Sequence, residues 1–178
     1  MCKVVAAEYL TLDGVMENPA WTTPYFDEEL GEFQGELMRA ADALLLGRVT
    51  YQAFAGAWPN MPDAPGADIM NRLPKHVASR TLQTAEWNAE IIRGDVAAEV
   101  ARLKQEPGQH LLIYGSGQLV EYLRQHQLID TYRLMVFPLV LGTGKRLFTT
   151  EIGSDFKLLS SHTTGKGVLV LTYERANA

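Results

Sequence analysis

The sequence has a single cysteine, Cys2, which excludes an intramolecular disulfide framework and any multi-cysteine zinc site. A reducing compartment is compatible with that usage. No run approaches the ~18 apolar residues of a membrane-spanning helix. The N-terminal apolar run at 4–7, flanked by Lys3 and Glu8, is too short for the apolar region of a signal peptide. Basic residues are outnumbered, 16 to 21, for a net charge of -5, which argues against broad nucleic-acid binding through phosphate neutralisation. The four histidines, at 76, 110, 126 and 162, are scattered without metal-ligand spacing. No G-x-S-x-G elbow and no Walker loop is present, so hydrolase and NTPase readings lack support. The expectation is a cytoplasmic protein with no metal site and no nucleic-acid or membrane partner.

What is present is an ordinary globular composition, 47% hydrophobic and 21% charged over 178 residues. That length suits one domain, spanning 1–178, with a core that needs no staples. Residues 2–9 read as a first buried strand and 10–21 as a long loop broken by Gly14 and Pro19. A helix follows over 26–41. Thr23 is expected to cap it, Pro24 suits its first turn, and Asp27, Glu28 and Glu29 complement its positive end. Phe26, Leu30, Phe33, Leu37 and Ala41 form its apolar stripe. A strand at 43–46 runs into Gly47 and a second helix, with Tyr51, Phe54 and Trp58 on one face. Pro59, Pro62 and Pro65 then predict a long loop. Strands follow at 75–79 and 89–92, a third helix capped by Asp95, a strand at 110–114 and a fourth helix to about Gln125. Strands at 130–138, 156–163 and 167–174 finish the chain, the last two as a hairpin around Thr164-Gly165-Lys166-Gly167. Eight strands and four main helices, alternating for two thirds of the chain, give an α/β fold with a mixed, mostly parallel sheet and a C-terminal β-hairpin.

Two strand-to-helix junctions carry small residues. A helix N-terminus offers unpaired N–H groups and partial positive charge, so each junction is phosphate-competent. In LLLGRVT, Gly47 permits close approach, Arg48 supplies a fork of donors and Thr50 a hydroxyl. In LLIYGSGQLV, Gly115 and Gly117 begin a G-x-G-x-x-G pattern whose last glycine is replaced by Val120. Two such junctions in one small sheet point to a dinucleotide. Ser79-Arg80, at another strand end, offers a hydroxyl and a guanidinium for a ribose 2′-phosphate, which selects NADPH. The loop 10–21 holds Asp13, Glu17, Asn18 and Trp21, and the helix 26–41 holds five carboxylates.

These segments together resemble the dihydrofolate reductase-like family, in the branch of the riboflavin-biosynthesis reductase C-terminal domain and its stand-alone relatives. The residues that carry the resemblance are LTLDG (10–14), LLLGRVTY (44–51), SRTL (79–82), IYGSGQLV (113–120) and the long block 128–148. The resemblance implies a three-layer sandwich and NADPH as hydride donor. By motif position, Gly47, Arg48 and Thr50 meet the cofactor phosphates and Ser79 and Arg80 the 2′-phosphate. Gly115, Ser116, Gly117, Gln118 and Leu119 wrap the pyrophosphate, while Ala7, Asp13, Gly14 and Val15 lie by the nicotinamide. It also implies a homodimer through the 128–148 region. Dihydrofolate reductases set one acid of the first helix against the substrate ring; here Asp27, Glu28 and Glu29 all stand near that place. The segment FAGAWPNMPDAPG (54–66) departs from the riboflavin reductases, so a ribosyl-phosphate substrate is not implied.

The leading expectation is an NADPH-dependent reductase acting on a small heterocycle, a pyrimidine, a pterin or a relative, with Asp13, Asp27 or Glu28 as the catalytic carboxylate. The alternative is a non-catalytic nucleotide-binding or regulatory protein on the same fold. A third reading places a flavin nucleotide in the same groove.

Overall fold

Strand β1 (Lys3–Thr11) is buried on both faces, as its run of small and β-branched residues demands of a central parallel strand. It leads through a 3₁₀ turn, Pro19–Tyr25, into α1 (Glu28–Ala40), then β2 (Ala41–Gly47) and α2 (Arg48–Ala57). A short 3₁₀ turn, Trp58–Asn60, and α3 (Ala67–Arg72) precede β3 (Lys75–Ala78) and β4 (Ala89–Ile92). Then come α4 (Val96–Leu103), β5 (His110–Tyr114), α5 (Gly117–Gln125), β6 (Thr131–Phe137), β7 (Phe156–Thr163) and β8 (Leu169–Arg175). The computed structural model describes residues 1–176; the last two residues of the expected 1–178 domain lie outside the described residues.

All eight strands form one sheet in the order β4-β3-β2-β5-β1-β6-β8-β7. The first six are parallel, and β8 and β7 add antiparallel to β6. The chain steps outward from β1 to β4, then returns to set β5 beside β1 and β6 on its far side. Right-handed crossovers therefore place α1–α3 on one face and α4–α5 on the other. Leu30, Leu37, Tyr51 and Met70 cover the first face; Val100, Leu103, Val120 and Leu123 cover the second. The reversal of strand order falls at the carboxyl ends of β2, β5 and β1, where open α/β sheets bind ligands.

Local signals decide the element ends. Asp27, not Thr23, caps α1: its Oδ1 accepts the Leu30 N–H at 2.9 Å, while Thr23 and Pro24 belong to the 3₁₀ turn. Phe26 is extended between the two and lies edge-on to Tyr9, which breaks the helix before Asp27. The buried stripe of α1 is Leu30, Gln34, Leu37 and Met38; Phe26 is exposed and Ala41 opens β2. Helix α3 stands in a stretch whose prolines predict only loop; Ala67 and Met70 bury against the sheet and tertiary packing makes the turn. Asp95 caps α4 as expected, accepting from Ala98 N–H. Behind the sheet, Arg124 and Glu121 form a buried ion pair at 2.7 Å. Arg124 also donates to Ile152 O and Ser154 Oγ, and Thr150 bonds both partners, so the 150–154 segment is fastened to α5.

Candidate functional site

The carboxyl edge of the sheet has a notch. Strand β5 pairs with β1 only as far as Ala7 opposite Tyr114, whereas β6 runs alongside β1 to Thr11. After Tyr114 the chain turns away through Gly115 and Ser116, both in the left-handed region at φ +57°. Glycine takes that conformation freely, and serine does so at a cost. Residues 8–11 of β1 thus lose their ladder partner on the β5 side.

The two glycine junctions flank this notch and bond to each other. The Gly47 N–H donates to Ser116 Oγ at 2.9 Å, and the Ser116 N–H donates to Thr50 Oγ1 at 3.1 Å. A Cβ at Gly47 would stand 3.5 Å from Ser116 Oγ, one at Gly115 3.4 Å from Thr50 Oγ1, and one at Gly117 only 2.7 Å from Met16 Sδ. A side chain at Gly117 would thus displace the end of Met16, while at Gly47 and Gly115 a Cβ would make ordinary contacts; at Gly115 it is the positive φ that favours glycine. The N-termini of α2 and α5 lie side by side, and their first N–H groups have no intrahelical acceptors. Arg48 is exposed and donates only to Gln52 Oε1, Gln118 is exposed, and Leu119 is buried in the core. The set fits a polyanion: paired helix N-termini, close backbone approach and a free guanidinium. Because the Thr50 and Ser116 hydroxyls brace the junctions, the donors left for a phosphate are backbone N–H groups and Arg48.

Other expected residues lie elsewhere or are otherwise engaged. Ser79 is buried, and its Oγ accepts from the Thr81 and Leu82 N–H groups, shaping the turn that presents exposed Arg80. Asp13 accepts from Thr11 Oγ1 at 2.6 Å and from the N–H groups of Gly142 and Leu141, with Arg146 at 3.6 Å. The Thr11 hydroxyl and those N–H groups hold its carboxyl below the usual range. Asp13 thus ties loop 12–16 to loop 139–147. Gly14, at φ +78°, turns that loop, and Val15 bridges Arg146 while fully buried. Ala7 is buried at the foot of the notch. Asp27 caps α1. Glu28 lies with Glu29, Glu32, Phe33 and Glu36 along a shallow outer concavity of α1 that includes none of the glycine-junction residues.

Composition and spacing overlooked four polar residues at the notch. Glu8, 2% exposed, has an Oε1 with no partner. Burial pushes its carboxyl well above the usual range, against the opposing pull of the Gly115 N–H. Tyr9, Gln34 and Tyr114 lie on the opposite face of the sheet. Gln34 Nε2 donates to Tyr9 Oη at 2.8 Å, while Gln34 Oε1 and the Tyr114 hydroxyl are buried without partners. Burial pushes Tyr9 up to about 12 and Tyr114 higher still. The signal for Glu8 was in plain sight, a carboxylate inside the apolar strand KVVAAEYLT.

A three-layer, eight-stranded sheet with the strand reversal at β2/β5/β1 defines a protein of the dihydrofolate reductase fold. Among solved structures, dihydrofolate reductase from Enterococcus faecalis, complexed with NADP(H) and RAB-propyl, matches 98% of this chain and 97% of its own at TM-score 0.65 and 13% identity. A putative riboflavin biosynthesis protein from Shewanella sp. PV-4 matches 98% of this chain and 99% of its own at TM-score 0.75 and 21% identity. The chain belongs to the RibD C-terminal domain family, whose model matches residues 2–170. The uncharacterized protein YyaP of Bacillus subtilis is 27% identical over 172 residues, covering 92% of this chain and 90% of that protein.

Proposed function

We propose that the chain is an NADPH-dependent reductase that passes a hydride to a small heterocycle, a pyrimidine, a pterin or a relative. The observation that carries the reading is the pair of hydrogen bonds between the glycine junctions, which sets two helix N-termini against one ligand position. The family's reductase character and the NADP(H) bound by the Enterococcus faecalis reductase support it. In this reading Gly47, Arg48 and Thr50, with Gly115, Ser116, Gly117, Gln118 and Leu119, form the wall around the phosphates. Arg80 meets the 2′-phosphate on the turn that Ser79 shapes. Ala7, Gly14 and Val15 border the nicotinamide. The cofactor supplies the hydride; the protein holds donor and acceptor at reacting distance and keeps water out.

Asp13 and Asp27 then serve the scaffold, as loop tie and helix cap, and Glu28 stays in solvent. No catalytic carboxylate remains among the three expected ones. That observation favours a second reading, a nucleotide-binding protein without turnover. The reading also includes a cytoplasmic homodimer, for which Leu158 and Leu159 on the edge strand β7, and Phe148 and Ile152 in the segment before it, offer exposed apolar surface.

Titration with NADPH and NADH tests the proposal. Arg80→Ala is expected to weaken NADPH by about 1–3 kcal/mol and to leave NADH unchanged, since only the 2′-phosphate is lost. Folded protein that binds neither nucleotide would refute it. Binding without NADPH oxidation across a panel of pterins, pyrimidines and quinones would favour the second reading.

A further inference from the structure

Three hydrogen-bonding side chains stand on the α1 side of the sheet at the notch, and none of them belongs to the phosphate wall. Tyr114 is the last residue of β5 and stands opposite Ala7. Tyr9 lies two residues further along β1, on the same face. Gln34 reaches Tyr9 from α1. The amide orientation of Gln34 is fixed by its two contacts: Nε2 faces Tyr9 Oη at 2.8 Å and Met135 Sδ at 3.1 Å, and a thioether sulfur only accepts. Its Oε1 is therefore a free acceptor, and the Tyr114 hydroxyl is a free donor, both sealed from water. A buried polar atom without a partner destabilises the ligand-free protein, and such groups call for a reason.

The surroundings specify what would complete them. Phe137 meets Tyr9, Trp21 and Tyr25 edge-on with ring centroids 5.5, 5.4 and 6.0 Å apart, an aromatic wall suited to a flat ring. The charged side chain on the same cross-strand row, Arg133 opposite Ala7, is turned away, donating to Thr172 Oγ1 at 3.0 Å and lying over Phe33. Glu8 points to the other face. Neither of these two ionisable groups is thus aimed at the two free atoms.

We propose that Tyr114 and Gln34, with Tyr9 as their brace, read the ring to be reduced, and that they take an uncharged amide edge, a carbonyl beside an N–H. The Tyr114 hydroxyl donates to the carbonyl and Gln34 Oε1 accepts from the N–H. The proposal rests on the reductase reading for the word "reduced", but the recognition itself does not need the cofactor. Because the atoms are sealed, a ring reaches them only when the side chains that cover them move aside.

The test uses two flat probes, quinazoline-2,4-dione and its 1,3-dimethyl derivative, which lacks both N–H groups. Affinity is measured by calorimetry with and without NADPH, and the melting temperature of ligand-free protein is recorded in parallel. The unaltered protein is expected to bind the dione at least tenfold more tightly than the dimethyl compound. Tyr114→Phe is expected to lose about tenfold for the dione while melting at the same temperature or higher, because it removes an unpaired buried hydroxyl. A merely structural tyrosine would lower the melting temperature and leave the probe affinity alone. Equal affinity for the two probes, binding of neither, or unchanged dione affinity in Tyr114→Phe overturns the proposal. Dione binding without NADPH binding overturns the cofactor reading and leaves this one standing; NADPH binding with no discrimination between probes does the reverse.

Discussion

Glu8→Gln separates stability from pH in a way that only a buried, protonated carboxyl explains. Glu8 is 2% exposed, and burial raises its carboxyl well above the ordinary 4.5. The folded chain therefore keeps a proton that the unfolded chain releases. As pH climbs from about 4.5 towards the raised folded value, the unfolded state binds fewer protons than the native one, and stability falls. One group with this mismatch contributes a slope of about 1.4 kcal/mol per pH unit. Glutamine keeps an oxygen for the Gly115 N–H and cannot ionise. Any fixed cost of its extra N–H is the same at every pH, so only the slope carries the meaning. Urea unfolding of both proteins at pH 5, 6 and 7 measures it. The glutamine variant should gain on its parent as pH rises above about 4.5, and keep gaining for as long as the folded Glu8 holds its proton. A difference that stays constant across that range would show Glu8 to be ionised in the native state and the burial argument to be wrong.

Arg124→Ala leaves Glu121 buried without its partner and releases the 150–154 segment. The Arg124 hydrogen bonds hold the Glu121 carboxyl down to about 2, and losing them should cost about 3–5 kcal/mol in chemical denaturation. A loss under 1 kcal/mol would mean that the pair is hydrated. Asp27→Ala removes the α1 cap and should cost about 0.5–2 kcal/mol without altering NADPH affinity; a selective loss of activity at unchanged stability would restore Asp27 as a catalytic group. Lys75, 1% exposed with Nζ 3.8 Å from the centre of the Trp87 ring, is pushed down to about 8 by burial. Its ammonium is the form that burial penalises, so the parent should gain stability as pH rises from about 8 towards 10.5, and Lys75→Met should not. Matching pH profiles for the two would refute that.

The parts of this fold that were legible in the sequence are those where local chemistry agrees with the tertiary outcome. KVVAAEY, LLLG and HLLIY are apolar enough to be central strands in any context, and Asp95 caps wherever a helix follows it. The glycine junctions were legible because a glycine at a strand end marks a sharp turn, as the positive φ of Gly115 bears out. Helix α3 was not, since six residues without periodicity fold only because Met70 has a core to enter. The bonding of the carboxylates was illegible for a related reason. Asp13 and Asp27 carry the right group at the right place in the chain, but what a carboxylate does depends on which N–H groups reach it. Those of Asp13 come from residues 141 and 142, more than a hundred positions away. Gln34 and Tyr114 gave no signal at all, because an unfilled hydrogen bond exists only in three dimensions.

The central place of β1 has a consequence for synthesis. Its two neighbours are β5 and β6, so during synthesis this strand finds its partners only after more than a hundred further residues have emerged. At roughly 5–20 residues per second, that is a wait on the order of ten seconds. Throughout it Val4, Val5, Ala6 and Ala7 remain an unpaired apolar segment. A chain that stops short of β5 would leave that segment without either of its strand partners.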